Sequence, residues 1–187
     1  MKYSGLIAAG FGGQGVMLLG QLLSYAAMLD GKFTTWLPSY GPEMRGGTAN
    51  CTVVISDEYI ASPVIDAPTE LLAFNLPSMN KFVSQVIKGG SLIINSSVVE
   101  SVPERKDIKI FRIPANDIAE KLGNIKVQNM VMMGAFLHVS NIVSMDAVQH
   151  AFEHKLTGTK AKLIDLNVKA ICLLLGLSRM AATAMSK

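Results

Sequence analysis

Gly10-Phe11-Gly12-Gly13-Gln14-Gly15 puts four glycines into six positions. The apolar run Leu6 to Ala9 leads into it. Leu19, Leu22, Leu23 and Ala26 lead out of it at the i, i+3, i+4, i+7 spacing of a helix with one apolar face. Strand, glycine turn and helix, in that order, aim the free N–H groups of a helix N-terminus at an anionic group. Glycine suits such a turn because it accepts positive φ and has no Cβ to hold a phosphate off the backbone. Gly12, Gly13, Gln14 and Gly15 are therefore candidate phosphate contacts. The competing reading is a tight turn that binds nothing, because G-x-G-x-x-G alone is a weak signal.

A dinucleotide site asks for more. An acidic residue about 20 positions on should end the second strand and hold a ribose hydroxyl. Asp30 lies at that distance, but Asp30-Gly31-Lys32 reads as the turn before strand two. That strand, Phe33 to Leu37, runs into Pro38-Ser39 without a carboxylate. NAD binding is disfavoured; a phosphate-accepting turn is not.

Further strands are expected at Thr48–Ile55, Glu70–Phe74, Ser91–Asn95 and Lys109–Ile113. The first alternates, with Ala49, Cys51, Val53 and Ile55 on one face, and could be an antiparallel addition at a sheet edge. Tyr59-Ile60-Ala61 could pair back on it as a hairpin. Helices are expected at 13–29, 78–87, 114–122, 129–139, 144–154 and 160–175. The stretch from Asn129 to Val139 is apolar almost all round, the pattern of a buried helix or one covered by a partner. Strands alternating with helices predict a three-layer α/β/α, Rossmann-like domain with a mostly parallel, mixed sheet. No linker is evident, so residues 1–177 read as one α/β domain and 178–187 as a C-terminal tail.

Composition limits the function classes. Half of the 187 residues are hydrophobic and only 17% are charged, so much of the chain must be buried in a core or against a partner. The net charge of +3 comes without a basic run, which argues against nucleic acid. Cys51 and Cys172 are far apart and form no C-x-x-C, so this chain alone lacks the thiolates for an iron–sulfur cluster. The uncharged stretches Tyr3–Leu29 and Val127–Met145 are broken by glycines and amides and do not read as membrane spans. The apolar run at Leu6 is too short for a signal sequence, and the expected location is the cytoplasm.

Two other stretches carry chemistry. Tyr40-Gly41-Pro42-Glu43-Met44-Arg45-Gly46-Gly47 is a loop that gathers Tyr40, Glu43 and Arg45. Arg45 beside Gly46 and Gly47 can offer a guanidinium fork and open backbone to a phosphate or carboxylate; equally, it can hold the loop by pairing with Glu43. His150-Ala151-Phe152-Glu153-His154 matches H-x-x-E-H, but a third zinc ligand is hard to supply downstream, and a solvated helix face fits better. Asn129, a polar residue opening an apolar helix, must find a partner or a ligand. No catalytic constellation and no metal site stands out.

Taken together, Gly10-Phe11-Gly12-Gly13-Gln14-Gly15-Val16, the Ser39–Gly47 loop and Asn129 with Gly134-Ala135 resemble the gamma subunit of 2-oxoacid:ferredoxin oxidoreductases. The resemblance covers about Lys2 to Leu177. It implies a subunit that is inactive alone, within a complex that converts a 2-oxoacid and coenzyme A to an acyl-CoA and CO2. It implies partners: alpha and beta subunits that hold thiamine diphosphate with Mg, and a ferredoxin-like delta subunit. Iron–sulfur clusters then sit on other subunits, and electrons pass to ferredoxin or another low-potential acceptor. A homodimer of this chain is left open. Gly12, Gly13, Gln14, Gly15, Tyr40, Glu43, Arg45, Gly46, Gly47 and Asn129 become the expected cofactor-binding set, with coenzyme A as its occupant. The loop looks closer to the 2-oxoglutarate or branched-chain types than to the indolepyruvate branch, with 2-oxoglutarate preferred and pyruvate an alternative. Rival readings are a stand-alone nucleotide-binding enzyme, a zinc hydrolase, and a scaffold whose turn binds nothing.

Overall fold

A computed structural model describes residues 1–40, 48–156 and 162–173. The elements, in order, are β1 (Tyr3–Phe11), α1 (Val16–Leu29), β2 (Phe33–Tyr40), β3 (Thr48–Ser56), β4 (Glu70–Ala73), α2 (Leu76–Phe82), β5 (Ser91–Asn95), β6 (Lys109–Ile113), α3 (Ala115–Lys121), α4 (Gln128–Ser140) and α5 (Met145–Lys155). Residues 164–173 are helical as well. The strands form one six-stranded mixed sheet in the order β2-β3-β1-β4-β5-β6. β1, β4, β5 and β6 are parallel neighbours, and β3 runs antiparallel to both β1 and β2.

Period-two alternation divides the sheet's side chains between two cores. Leu6, Ala8, Cys51, Val53, Leu72 and Ile93 face α1, α3, α4 and α5. Ile7, Ala9, Leu71, Ala73, Leu92 and Ile94 face α2. Helices therefore cover both faces, as an α/β chain with parallel central strands requires. α4 is buried continuously from Asn129 to Leu137, which is why its sequence shows no polar face. At Gly134 an added Cβ would lie 2.5 Å from the Ile171 carbonyl oxygen, so α4 and the helix at 164–173 pack backbone to backbone.

Several local expectations are corrected. β3 is antiparallel but interior, because both of its hydrogen-bonding sides are used; β2 is the edge. The same arrangement leaves no strand side for Tyr59–Ala61, and residues 57–69 contain no strand. β2 runs through Pro38, which an edge strand tolerates. α1 starts at Val16 rather than Gly13, because Gly13 (φ 96°) and Gly15 (φ 77°) lie outside helical geometry. The helix expected at 78–87 begins at Leu76, where Asn75 caps it, and ends in a 3₁₀ turn at Val83–Gln85.

Candidate functional site

The turn after β1 is set by its own backbone. The Gln14 N–H donates to the Phe11 carbonyl at 3.2 Å, and Gly15 enters α1 in the left-handed region. No side chain caps the N-terminus of α1, and its first turn carries no acidic residue. A helix in this state has first-turn N–H groups without intrahelical partners and a positive end to its dipole.

The turn sits at a change of direction in the fold. β1 leads to α1 on one face, while its neighbour β4 leads to α2 on the other. Such a point opens a crevice outside the carboxyl ends of the strands, where α/β sheets place their ligands. Here the Gln14 side chain lies between the ends of β1 and β4. Its Oε1 accepts from the Phe11 N–H at 2.6 Å and from Asn75 Nδ2 at 3.2 Å, and its Nε2 donates to the Phe74 carbonyl at 3.3 Å. Asn75 in turn accepts from the Ser78 N–H at 2.9 Å and caps α2. Gln14 thus braces β1, β4 and α2 together, and its side-chain amide is already engaged. Gly10 makes room for the brace: a Cβ there would lie 2.7 Å from Gln14 Oε1.

α4 closes the other side. Asn129 is buried, and its Nδ2 donates to the Gly15 carbonyl at 3.2 Å. One residue earlier, Gln128 Oε1 accepts from Asn95 Nδ2 at 3.3 Å. Asn95 is fully buried at the end of β5; its Oδ1 accepts from the Ala115 and Ser97 N–H groups, and its Nδ2 also reaches Asn116 Oδ1 at 2.9 Å. A row of amides therefore ties the carboxyl ends of β1, β4 and β5 to the starts of α2, α3 and α4, each bond offsetting the cost of burying its partners.

The second motif meets the same edge. Thr48 opposes Phe11 in the β3–β1 ladder, and Tyr40 opposes Ala49 in the β2–β3 ladder. β2 thus ends, and β3 begins, at the same end of the sheet as the glycine turn. Glu43, Arg45, Gly46 and Gly47 lie outside the described residues. Of the expected set, the structure brings Gly15 and Asn129 into contact, gives Gln14 a bracing role, and puts the end of β2 at Tyr40 on the same edge.

Other candidates resolve differently. Asp30 does not face the turn; its carboxylate accepts from the Ser144 N–H at 3.0 Å and the Ser144 hydroxyl at 2.8 Å, fixing the start of α5. His150 and His154 are exposed on α5, and the His154 ring lies edge-on to Tyr25, with centroids 5.9 Å apart. Among the described residues no group of three or more His, Cys, Asp or Glu could hold a metal ion. Burial pushes the Cys51 thiol up to about 12, partly opposed by Trp36 and the Gly20 backbone, so it is an inert core side chain. Among the described residues no helix is long and apolar enough to cross a membrane. The edge as a whole offers main-chain donors and neutral amides. Among the described residues these groups are suited to holding an anion. Asn75 and Asn95 were not singled out from the sequence, although Asn75 before Leu76-Pro77-Ser78 carries the signal of a helix cap.

Residues 5–173 match the pyruvate ferredoxin/flavodoxin oxidoreductase family. The chain is 38% identical over 165 residues to ketoisovalerate oxidoreductase subunit VorA of Methanothermobacter marburgensis, covering 87% of this chain and 34% of that protein. It thus spans about a third of that relative's length. It is 40% identical over 164 residues to 2-oxoglutarate synthase subunit KorC of the same organism, covering 83% and 88% of the two chains. The gamma subunit of a keto/oxoacid ferredoxin oxidoreductase from Geobacter sulfurreducens superposes with a TM-score of 0.76 at 29% identity, over 91% and 95% of the two chains.

Proposed function

The chain belongs to the pyruvate ferredoxin/flavodoxin oxidoreductase family, and from that premise we propose that it is the gamma subunit of a thiamine-diphosphate-dependent 2-oxoacid:acceptor oxidoreductase. Its partners are then alpha and beta subunits, which carry the thiamine chemistry, and a ferredoxin-like subunit, which carries electrons onward in the cytoplasm. The observation that carries this reading is the family match over residues 5–173, joined to an edge whose described residues gather neutral donors. The described cysteines do not fit an iron–sulfur cluster, since Cys51 is buried and inert and Cys172 stands apart from it. The iron–sulfur clusters of the complex are proposed to sit on other subunits.

The proposed 2-oxoacid is 2-oxoglutarate, supported by the likeness to KorC. A branched-chain 2-oxoacid is the second reading, supported by the likeness to VorA. Coenzyme A is the proposed occupant of the turn. Thiamine diphosphate, held by the other subunits, would supply the electron sink for decarboxylation of the 2-oxoacid; this chain's part is to hold the phosphates of coenzyme A. The uncapped first turn of α1 offers N–H groups to a phosphate, and Arg45, four residues past Gly41, supplies the counter-charge.

The test uses the assembled complex. Arg45→Ala should raise KM for coenzyme A by about 10- to 100-fold, the range of a lost charge-assisted hydrogen bond, with KM for the 2-oxoacid unchanged. An unchanged KM for coenzyme A overturns the contact. Recovery of the tagged chain from its host without thiamine-binding partners overturns the subunit role, and a panel of 2-oxoacids assigns the substrate.

A further inference from the structure

A cavity of about 390 Å³ opens on the helical layer, adjoining the glycine turn through Asn129, where α1, α4, α5 and the helix at 164–173 converge. Its floor is apolar. Leu22, Met130 and Phe152 are almost completely buried beneath it, and Leu18 and Leu163 are exposed at its mouth. Its polar lining is of one kind. Lys126 and Lys155 supply the charge, four side-chain amides supply dipoles, and among the described residues no Asp or Glu lines it. Lys155 stands between this cavity and a neighbouring hollow lined by Tyr25, and its Nζ rests 4.9 Å from the centroid of that ring. A cation–π contact of this kind fixes the ammonium while leaving its other donors available.

The volume falls within the range of small-ligand pockets, which pair an apolar lining with a few placed polar groups. Among the described lining residues the charge is uncompensated, so an anionic end group is favoured over a neutral or cationic one. The apolar floor favours a hydrocarbon chain or ring over a sugar or polyphosphate, whose hydroxyls would lose water without partners there. We propose that this cavity binds a small apolar monocarboxylate, with the chain on Leu22, Met130 and Phe152 and the carboxylate at Lys126 and Lys155. The site adjoins the turn, and Asn129 belongs to both: it lines the cavity and holds the Gly15 carbonyl. An occupied cavity therefore touches the residue that fixes the turn.

The test is direct binding to the full chain in its complex, measured by calorimetry with octanoate and with 1-octanol as the uncharged counterpart. Octanoate should bind at least about tenfold more tightly than 1-octanol. Lys126→Met with Lys155→Met should remove that preference while leaving 1-octanol binding as it was. Leu163→Trp, at the exposed mouth, should weaken both ligands without touching the fold. No heat from octanoate into the millimolar range, or equal affinity for the two ligands, overturns the proposal. So does octanoate binding that the lysine and Leu163 variants leave unchanged. None of these readouts depends on 2-oxoacid turnover, so failure here is distinct from failure of the subunit role.

Discussion

Asn129 and Gly15, separated by 114 positions, meet at the glycine turn: Asn129 Nδ2 donates to the Gly15 carbonyl at 3.2 Å. A Cβ on Gly15 would lie 2.4 Å from the same nitrogen, and Gly15 has φ 77°. Gly15→Ala therefore meets two penalties, about 1–2 kcal/mol for a left-handed alanine and about 1–3 kcal/mol for crowding. Thermal unfolding should show a loss of roughly 5–15 °C at this chain length. Asn129→Ala removes the crowding and leaves the strain, so the double variant should lose less than the sum of the two single losses. Strict additivity would mean that the two residues do not touch.

A second close approach lies one turn further along α1. A Cβ on Gly20 would fall 2.5 Å from Cys51 Sγ and 2.7 Å from Trp36 Nε1. In an open helix Gly→Ala gains about 1 kcal/mol. Here the neighbours are short or stiff, and overpacking costs about 1–3 kcal/mol. Gly20→Ala should destabilise the chain on balance in a urea titration. In a Cys51→Ala background, where the sulfur is gone, the loss should shrink. Trp36 keeps it from reversing completely.

These contacts mark what could and could not be seen in the sequence. The turn, the helix after it and the buried α4 were legible because each is written in local spacing: glycines, a period near four, an unbroken apolar run. The inward position of Cys51 was legible from the alternation of β3. The interior place of β3 was not, because only the pairing of β2 along its far side reveals it. The bracing role of Gln14 was not legible, because its partners Phe74 and Asn75 lie 60 and 61 positions away. Asp30 stood at the right separation for a ribose contact, but its partner is Ser144, which no local pattern names.

The brace made by Gln14 separates stability from ligand binding. Gln14→Leu leaves the Phe11 N–H, the Phe74 carbonyl and Asn75 Nδ2 without their partner. At about 1–3 kcal/mol for each buried unsatisfied group, less where solvent reaches, a loss of about 2–4 kcal/mol is expected. Gln14→Glu keeps an acceptor for Phe11 and Asn75 and loses only the donor to Phe74. It should unfold later than Gln14→Leu. In the assembled complex it sets a negative charge at the turn, and KM for coenzyme A should rise by about tenfold through repulsion. Should Gln14→Leu raise KM more than Gln14→Glu, charge at the turn would be irrelevant to the ligand.

The far end of the sheet gives the chain a pH dependence of its own. Glu70 opens β4 half-buried, and burial raises its carboxyl above the usual range, against hydrogen bonds from Thr69 and Ser4 that pull it down. The Ser4 hydroxyl donates to Glu70 Oε2 at 2.7 Å, and the Thr69 hydroxyl donates to the same oxygen at 2.5 Å. A carboxyl raised on folding holds its proton in the native state after the unfolded chain has lost it. Its contribution is therefore complete below the ordinary carboxylate range and is lost as pH rises through the native value. Above that value the ionised Glu70 counts against the fold. Glu70→Gln removes the charge and keeps an acceptor for the two hydroxyls. Its melting temperature should exceed that of the parent at pH 8, and the difference should shrink as pH falls to about 4, near the ordinary glutamate value. A difference that stays constant with pH would mean that the gain comes from packing, and that Glu70 bears no ionisation penalty in the fold.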